Sequence, residues 1–136
     1  MIKITSMQHI GVFMADPVKA ADWYGKNMGF KIVGDFTTAS GHRAIFVHSD
    51  AVGITYELVG QPKGSPEYHS FLTGPADIAH VAYEVEDIET AFAQAKRDGL
   101  DILEGIIDIP EFWKNGFRYF MTRAATGECV EFCKLL

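Results

Sequence analysis

The chain has 136 residues, of which 48% are hydrophobic and 22% charged, enough apolar side chain to bury one compact core. Its net charge of −6 and its lack of any lysine or arginine cluster argue against nucleic acid or an anionic membrane surface as a partner. No apolar run approaches the ~20 residues of a membrane span, and the opening MIKITSMQHIGVFMAD lacks the basic segment and cleavage site of a secretory leader. The two cysteines, Cys129 and Cys133, lie four residues apart. On one strand that is about 13 Å, too far for a disulfide, so both read as free thiols and the protein as cytoplasmic.

The first element is an apolar strand carrying His9, followed by Asp16-Pro17. Asp16 suits an N-cap and Pro17 the first helical position, where its missing N–H costs nothing. Val18, Ala21, Tyr24 and Met28 then recur at helical spacing, and Gly29 is placed to end the helix. Three strand segments follow, KIVGDF (31–36), RAIFVH (43–48) and GITYELV (53–59). Residues 60–76, rich in Gly and Pro, read as a linker with one helical turn from Ser65 to Leu72.

The chain then starts again. DIAHVAYEVED places His80 in a strand and Asp87 seven residues later, as His9 is followed by Asp16. A helix with the stripe Ile88, Ala91, Phe92 and Ala95 runs to Gly99. DILEGIIDI (101–109), FRYFMT (117–122) and CVEFCK (129–134) are the matching strands. The offsets between the two histidines, the two capping aspartates and the two closing glycines are 71, 71 and 70, the mark of an internal duplication. The fold class is therefore α+β, with two tandem βαβββ modules at 1–60 and 77–136 joined by the linker at 61–76.

Each half also carries a glutamate on its last strand, Glu57 in TYELV and Glu131 in CVEFC. A lone histidine or glutamate in a strand reads as a core or surface residue. Two of each at duplicated places, all embedded in apolar sequence, read as one site. Burying a carboxylate without a partner costs several kcal/mol, and a divalent cation removes that cost for all four groups at once. Imidazole nitrogen and carboxylate oxygen are suitable donors, so His9, Glu57, His80 and Glu131 are the expected metal ligands. Strand alternation puts Gly11 and Phe13 on the face of His9, Ala82 on that of His80, and Cys129 and Cys133 on that of Glu131.

With these four residues, the opening HIGVFMADPVKAADWYGKNMGF and the closing GECVEF, the sequence resembles the vicinal oxygen chelate superfamily, the glyoxalase I, bleomycin-resistance and extradiol dioxygenase group. The resemblance spans nearly the whole chain. It implies that the two modules form a cup-shaped, partly open barrel-like sheet with one divalent metal at its base, and that the protein is a homodimer. Nickel, cobalt, zinc, manganese or iron would suit the donors. It further implies chelation of two neighbouring oxygens of a small-molecule substrate and stabilisation of an enediolate, with Glu131 as the first choice of catalytic base and Glu57 as the second.

The order of ligands resembles glyoxalase I, a lactoylglutathione lyase. Phe13 stands where such enzymes carry an arginine for the glutathione carboxylate. Methylmalonyl-CoA epimerase is the alternative, on SPEYHSFL and AHVAYEVEDIE; residues 37–48 offer no second carboxylate, so Glu57 would have to serve, or His42 or His48 as substitutes, although the two histidines read first as surface residues. A metal-free sequestering protein of the bleomycin-resistance kind is the reading from another class. Phe13, Phe112, Trp113 and Arg118 are expected to line the substrate pocket, the middle pair within DIPEFWKNGF.

Overall fold

The computed structural model describes all residues from Met1 to Leu136. It contains three helices and nine strands, an α+β protein built on a repeated βαβββ pattern. The elements are β1 (Ile4–Met14), α1 (Pro17–Met28), β2 (Lys31–Thr37), β3 (Arg43–Ser49), β4 (Ile54–Gly60), α2 (Pro66–Thr73), β5 (Asp77–Val85), α3 (Ile88–Arg97), β6 (Asp101–Ile102), β7 (Ile107–Ile109), β8 (Phe117–Arg123) and β9 (Cys129–Leu135). The chain divides into two compact units, His9–Ala79 and a second made of Met1–Gln8 with His80–Leu136.

In the His9–Ala79 unit β2, β3 and β4 form an antiparallel meander, and β4 pairs in parallel with β1. A parallel pair needs a crossover, which α1 and the meander supply. Asp16 begins the helix by accepting a hydrogen bond from the Lys19 N–H at 2.9 Å, with Pro17 in the first turn. Gly29 ends it with φ of 72°, a left-handed conformation that a side chain would resist. The helix covers a core of Val12, Met14, Ala21, Phe30, Ile45, Val47 and Leu58.

The buried stripe of α1 differs from the expected one. Pro17 and Ala21 are buried, with Ala20 and Tyr24 packed on the core, whereas Val18 and Met28 are about half exposed. Pro17, Ala20, Ala21 and Tyr24 keep helical spacing, but the stripe is rotated by one residue because the proline ring itself packs inward. Burial raises the Tyr24 hydroxyl above its ordinary pKa, and the neighbouring Tyr56 adds to the effect.

That packing is tight at one point. A Cβ built on Gly60 would lie 2.6 Å from Cδ and 2.7 Å from Cγ of Pro17. Neither group can yield easily, since Pro17 starts the helix and Gly60 pairs with Arg43 across the sheet. We expect Gly60→Ala to cost about 1–3 kcal/mol, by the usual penalty for overpacking. Urea unfolding should show this as a lower midpoint at an unchanged slope, and an unshifted midpoint would mean that the Pro17 contact is soft.

The other unit repeats the scheme. Here β5 pairs in parallel with β9, β9 antiparallel with β8, and β8 antiparallel with β6 and β7. Asp87 caps α3 by accepting from the Thr90 N–H at 2.7 Å, and its hydrogen bonds to Thr90 hold its carboxyl below the usual range. Val85, Ile88, Ala91, Ala95, Phe120 and Phe132 form the core. The first residues of β1 belong to this unit, and the Thr5 hydroxyl donates to the Glu84 carbonyl at 3.0 Å.

The strand expected at 101–109 is two short strands instead, β6 and β7, separated by residues 103–106. Both pair with β8, but two extra residues are taken up between them, since Ile102 faces Thr122 while Ile107 faces Tyr119. Gly105 within DILEGIIDI lets the chain bulge there, and the Leu103 N–H still reaches the Met121 carbonyl at 2.9 Å.

Candidate metal and catalytic site

The duplication appears in the register of the strands. Gly11, two residues past His9, faces Glu57 across the parallel pair of β1 and β4. Ala82, two residues past His80, faces Glu131 across the parallel pair of β5 and β9. A histidine, a small residue and a glutamate thus occupy equivalent places in both units.

Alternation carries the rest of each strand away from these groups. Val12 and Met14 enter the core under α1, and Val130 and Phe132 that under α3. His9 is 1% exposed, Glu57 7%, His80 5% and Glu131 3%. Four ionisable side chains this deeply buried are uncommon without a ligand or a partner that needs them.

In the His9–Ala79 unit, Nε2 of His9 lies 3.2 Å from Oε2 of Glu57. In the second unit, Nε2 of His80 lies 3.5 Å from Oε2 of Glu131. Two donors bound at about 2.1 Å to one ion, at angles between square and tetrahedral, stand roughly 3.0–3.4 Å apart. Both pairs are close to that spacing, and the second is long for a hydrogen bond. The donor types and the separations therefore fit a divalent cation. The His9 ring also meets Phe46 edge to face, with centroids 5.5 Å apart, and Phe46 faces Glu57 from β3. The counterpart of Phe46 beside Glu131 is Met121 on β8. Apolar neighbours of this kind exclude water from the carboxylates.

The residues expected to line a substrate pocket are placed variously. Phe13 follows Gly11 on the same face of β1 and faces Val59. Phe112 is buried, 2% exposed, with its ring 6.0 Å from that of Phe117, so it is a packing residue of the loop before β8. Trp113 is half-buried with φ of 57°, a left-handed conformation rare for a bulky side chain.

Arg118 stands apart from the expected site. It faces Lys134 on β8–β9, one residue out of step with the face of Glu131, and it is paired with Glu89 of α3 and Asp108 of β7. Those two carboxylates raise its pKa further and occupy its guanidinium. The thiols stand as expected: Cys129 and Cys133 form no disulfide with each other, and the buried Cys133 thiol donates to the Tyr83 carbonyl at 3.5 Å. No helix is long and apolar enough to cross a membrane.

Of the two histidines that the sequence sets in residues 37–48, the second is held across the pairing of β3 with β4. His48, on β3, bonds through Nδ1 to Oγ1 of Thr55 at 2.9 Å, while its Nε2 lies 3.5 Å from Oδ1 of Asp50.

A family model described as Glyoxalase/Bleomycin resistance protein/Dioxygenase superfamily matches residues 6–122. Among solved structures, methylmalonyl-CoA epimerase from Mycobacterium tuberculosis superposes with a TM-score of 0.81, at 17% identity, over 100% of this chain and 91% of that one. The Streptomyces coelicolor methylmalonyl-CoA epimerase in complex with 2-nitronate-propionyl-CoA gives 0.75 at 17% identity, over 96% and 97% of the two chains. An uncharacterized protein of Bacillus subtilis, YwbC, is 25% identical over 129 residues, 93% of this chain and 94% of its own.

Proposed function

Because the chain belongs to the Glyoxalase/Bleomycin resistance protein/Dioxygenase superfamily, we propose that it is a divalent-metal-dependent enzyme that moves a proton on a carbon flanked by oxygen-bearing groups, and that its reaction is the epimerisation of a branched acyl-CoA of the methylmalonyl-CoA kind. The observation that carries this reading is the pair of buried histidine–glutamate couples at ligand spacing, on duplicated strands.

His9, Glu57, His80 and Glu131 would hold the cation. When bound, it supplies a Lewis acid that orients two substrate oxygens and stabilises the negative charge developing on them. The protein residues do the remainder. Glu131 takes the proton from the carbon between the two carbonyl groups, with Glu57 the second candidate for that role. Phe46 and Met121 set apolar side chains opposite the two carboxylates. Gly11 and Ala82 place only small groups opposite Glu57 and Glu131 in the strand pairing.

Epimerisation is placed above the lactoylglutathione lyase reaction that the ligand order first suggests. The structures that superpose over 96–100% of the chain include several methylmalonyl-CoA epimerases. Phe13 also offers no charge to a glutathione carboxylate. A glyoxalase-type lyase remains the second reading, on the His–Glu–His–Glu order itself. Sequestration without chemistry accounts for none of the four buried ligands.

The test is an assay of both reactions on protein loaded in turn with Ni²⁺, Co²⁺, Mn²⁺, Fe²⁺ and Zn²⁺. Inversion of (2S)-methylmalonyl-CoA and formation of lactoylglutathione from methylglyoxal and glutathione would be followed in parallel. We expect chelator-sensitive inversion with at least one metal, and lactoylglutathione formation at least about 100-fold slower. Neither reaction with any of the five metals would remove the proposal, and faster lactoylglutathione formation would replace it with the second reading.

A further inference from the structure

On the assumption that the proposed epimerisation is right, we infer that Arg123, the last residue of β8, binds the free carboxylate of the substrate and so selects malonyl-type thioesters over acyl-CoAs that lack the acid group. In such a thioester the carboxylate is bonded to the carbon that gives up its proton. A group that binds the carboxylate therefore has to stand close to the base, on the same face of the sheet.

The strand register puts Arg123 there. Met121 faces Glu131 and Arg123 faces Cys129 in the pairing of β8 with β9. Phe120 lies in the core under α3, and Thr122 faces Val130, which packs on that core. Met121 and Arg123 alternate with these and turn to the opposite face, that of Glu131. Val81 faces Val130 in the pairing of β5 with β9, which sets His80 beside Cys129. His80, Cys129 and Arg123 thus form one row across three strands, next to the row of Ala82, Glu131 and Met121. Arg123 stands one strand and two residues from Glu131, about 5 Å across the sheet and about 7 Å along it.

No other lysine or arginine of β5, β8 or β9 shares that face, since Arg118 and Lys134 face each other on the side of α3. The chain carries a net charge of −6, so an anionic substrate needs a local cation to draw it in.

The guanidinium of Arg123 is also the least engaged of the four arginines. Arg43 is bidentate on Asp35, Arg97 donates to Gln94, and Arg118 is paired with Glu89 and Asp108. The nearest carboxylate oxygen to Arg123 is Oδ2 of Asp101, 3.6 Å from Nε and beyond hydrogen-bond distance, and the side chain is 50% exposed. Its backbone, by contrast, is fixed. β9 pairs with it on one side and β6 on the other, and the Ala124 N–H closes the hairpin beyond it on the Glu128 carbonyl at 2.9 Å. A planar fork on a held strand suits two-point recognition of a carboxylate. The phosphates of coenzyme A are the other anions of such a substrate, and they lie many bonds from the reacting carbon.

The experiment compares metal-loaded wild type and Arg123→Gln on three probes. Methylmalonyl-CoA carries the carboxylate and the phosphates, methylmalonyl-pantetheine only the carboxylate, and propionyl-CoA only the phosphates. Inversion is followed for the first two and binding of the third by calorimetry. For Arg123→Gln we expect KM for both methylmalonyl thioesters to rise about 10- to 100-fold, the worth of a charged hydrogen-bonded pair, with kcat within about tenfold and propionyl-CoA affinity within about threefold of wild type. KM within about threefold of wild type for both thioesters would overturn the assignment. A loss confined to the two CoA esters would give Arg123 to a phosphate and overturn it as well. So would an equal loss with all three probes, which would mark general damage to the site. Wild-type protein that inverts neither thioester would defeat the proposed function and this assignment with it.

Discussion

Glu131→Gln should lower metal-dependent inversion of methylmalonyl-CoA by about 10²- to 10⁴-fold while leaving the fold unchanged. Glutamine keeps the shape of the side chain and one oxygen donor, but it cannot accept a proton from carbon. The site tolerates the change sterically because Glu131 faces only Ala82 and Met121 across its two strand pairs. Glu57→Gln should cost less, about tenfold, as expected of a group that only holds the cation. Rates at saturating metal would decide between them. A Glu131→Gln rate within about threefold of wild type would move the base to Glu57 or away from both.

The largest loss of stability is expected from Phe120→Ala, at about 3–5 kcal/mol. Phe120 is fully buried, with its ring 5.1 Å from that of Phe92 on α3 and 5.2 Å from that of Phe132 on β9. It joins helix to sheet at the centre of the core under α3. Removing the ring leaves a void bounded by helix and sheet backbone, which cannot collapse to fill it. Chemical unfolding should place the midpoint far below that of wild type. A loss under about 1.5 kcal/mol would mean that Phe92 and Phe132 close the gap.

The duplicated frame was legible because it rests on short-range chemistry. Asp16, Pro17 and Gly29 mark the ends of α1, and Asp87 the start of α3, which ends at Asp98 just before the left-handed Gly99, whatever the rest of the chain does. The burial of His9, Glu57, His80 and Glu131 was legible because ionisable groups in apolar strands stand out, and their repetition argues against chance surface placement.

What the sequence hid depends on long-range register. The break between β6 and β7 follows from how 101–109 aligns with β8, which no local pattern encodes. The association of Ile4–Gln8 with the second unit is a tertiary contact within a strand that otherwise reads as continuous. Arg118, expected at a substrate pocket, is turned by its position in β8 toward Glu89 and Asp108, a pairing that depends on register and not on local pattern.

The most direct test of the account is metal binding by wild-type protein purified without chelator, compared with a His80→Ala variant. Wild type should hold about one divalent ion per chain and be stabilised against heating by added Ni²⁺ or Co²⁺, since a ligand that binds only the folded state must raise its stability. His80→Ala should hold far less and gain nothing from added metal. Less than about 0.2 equivalents in the wild type, with no stabilisation by any of the five divalent ions, would contradict the account.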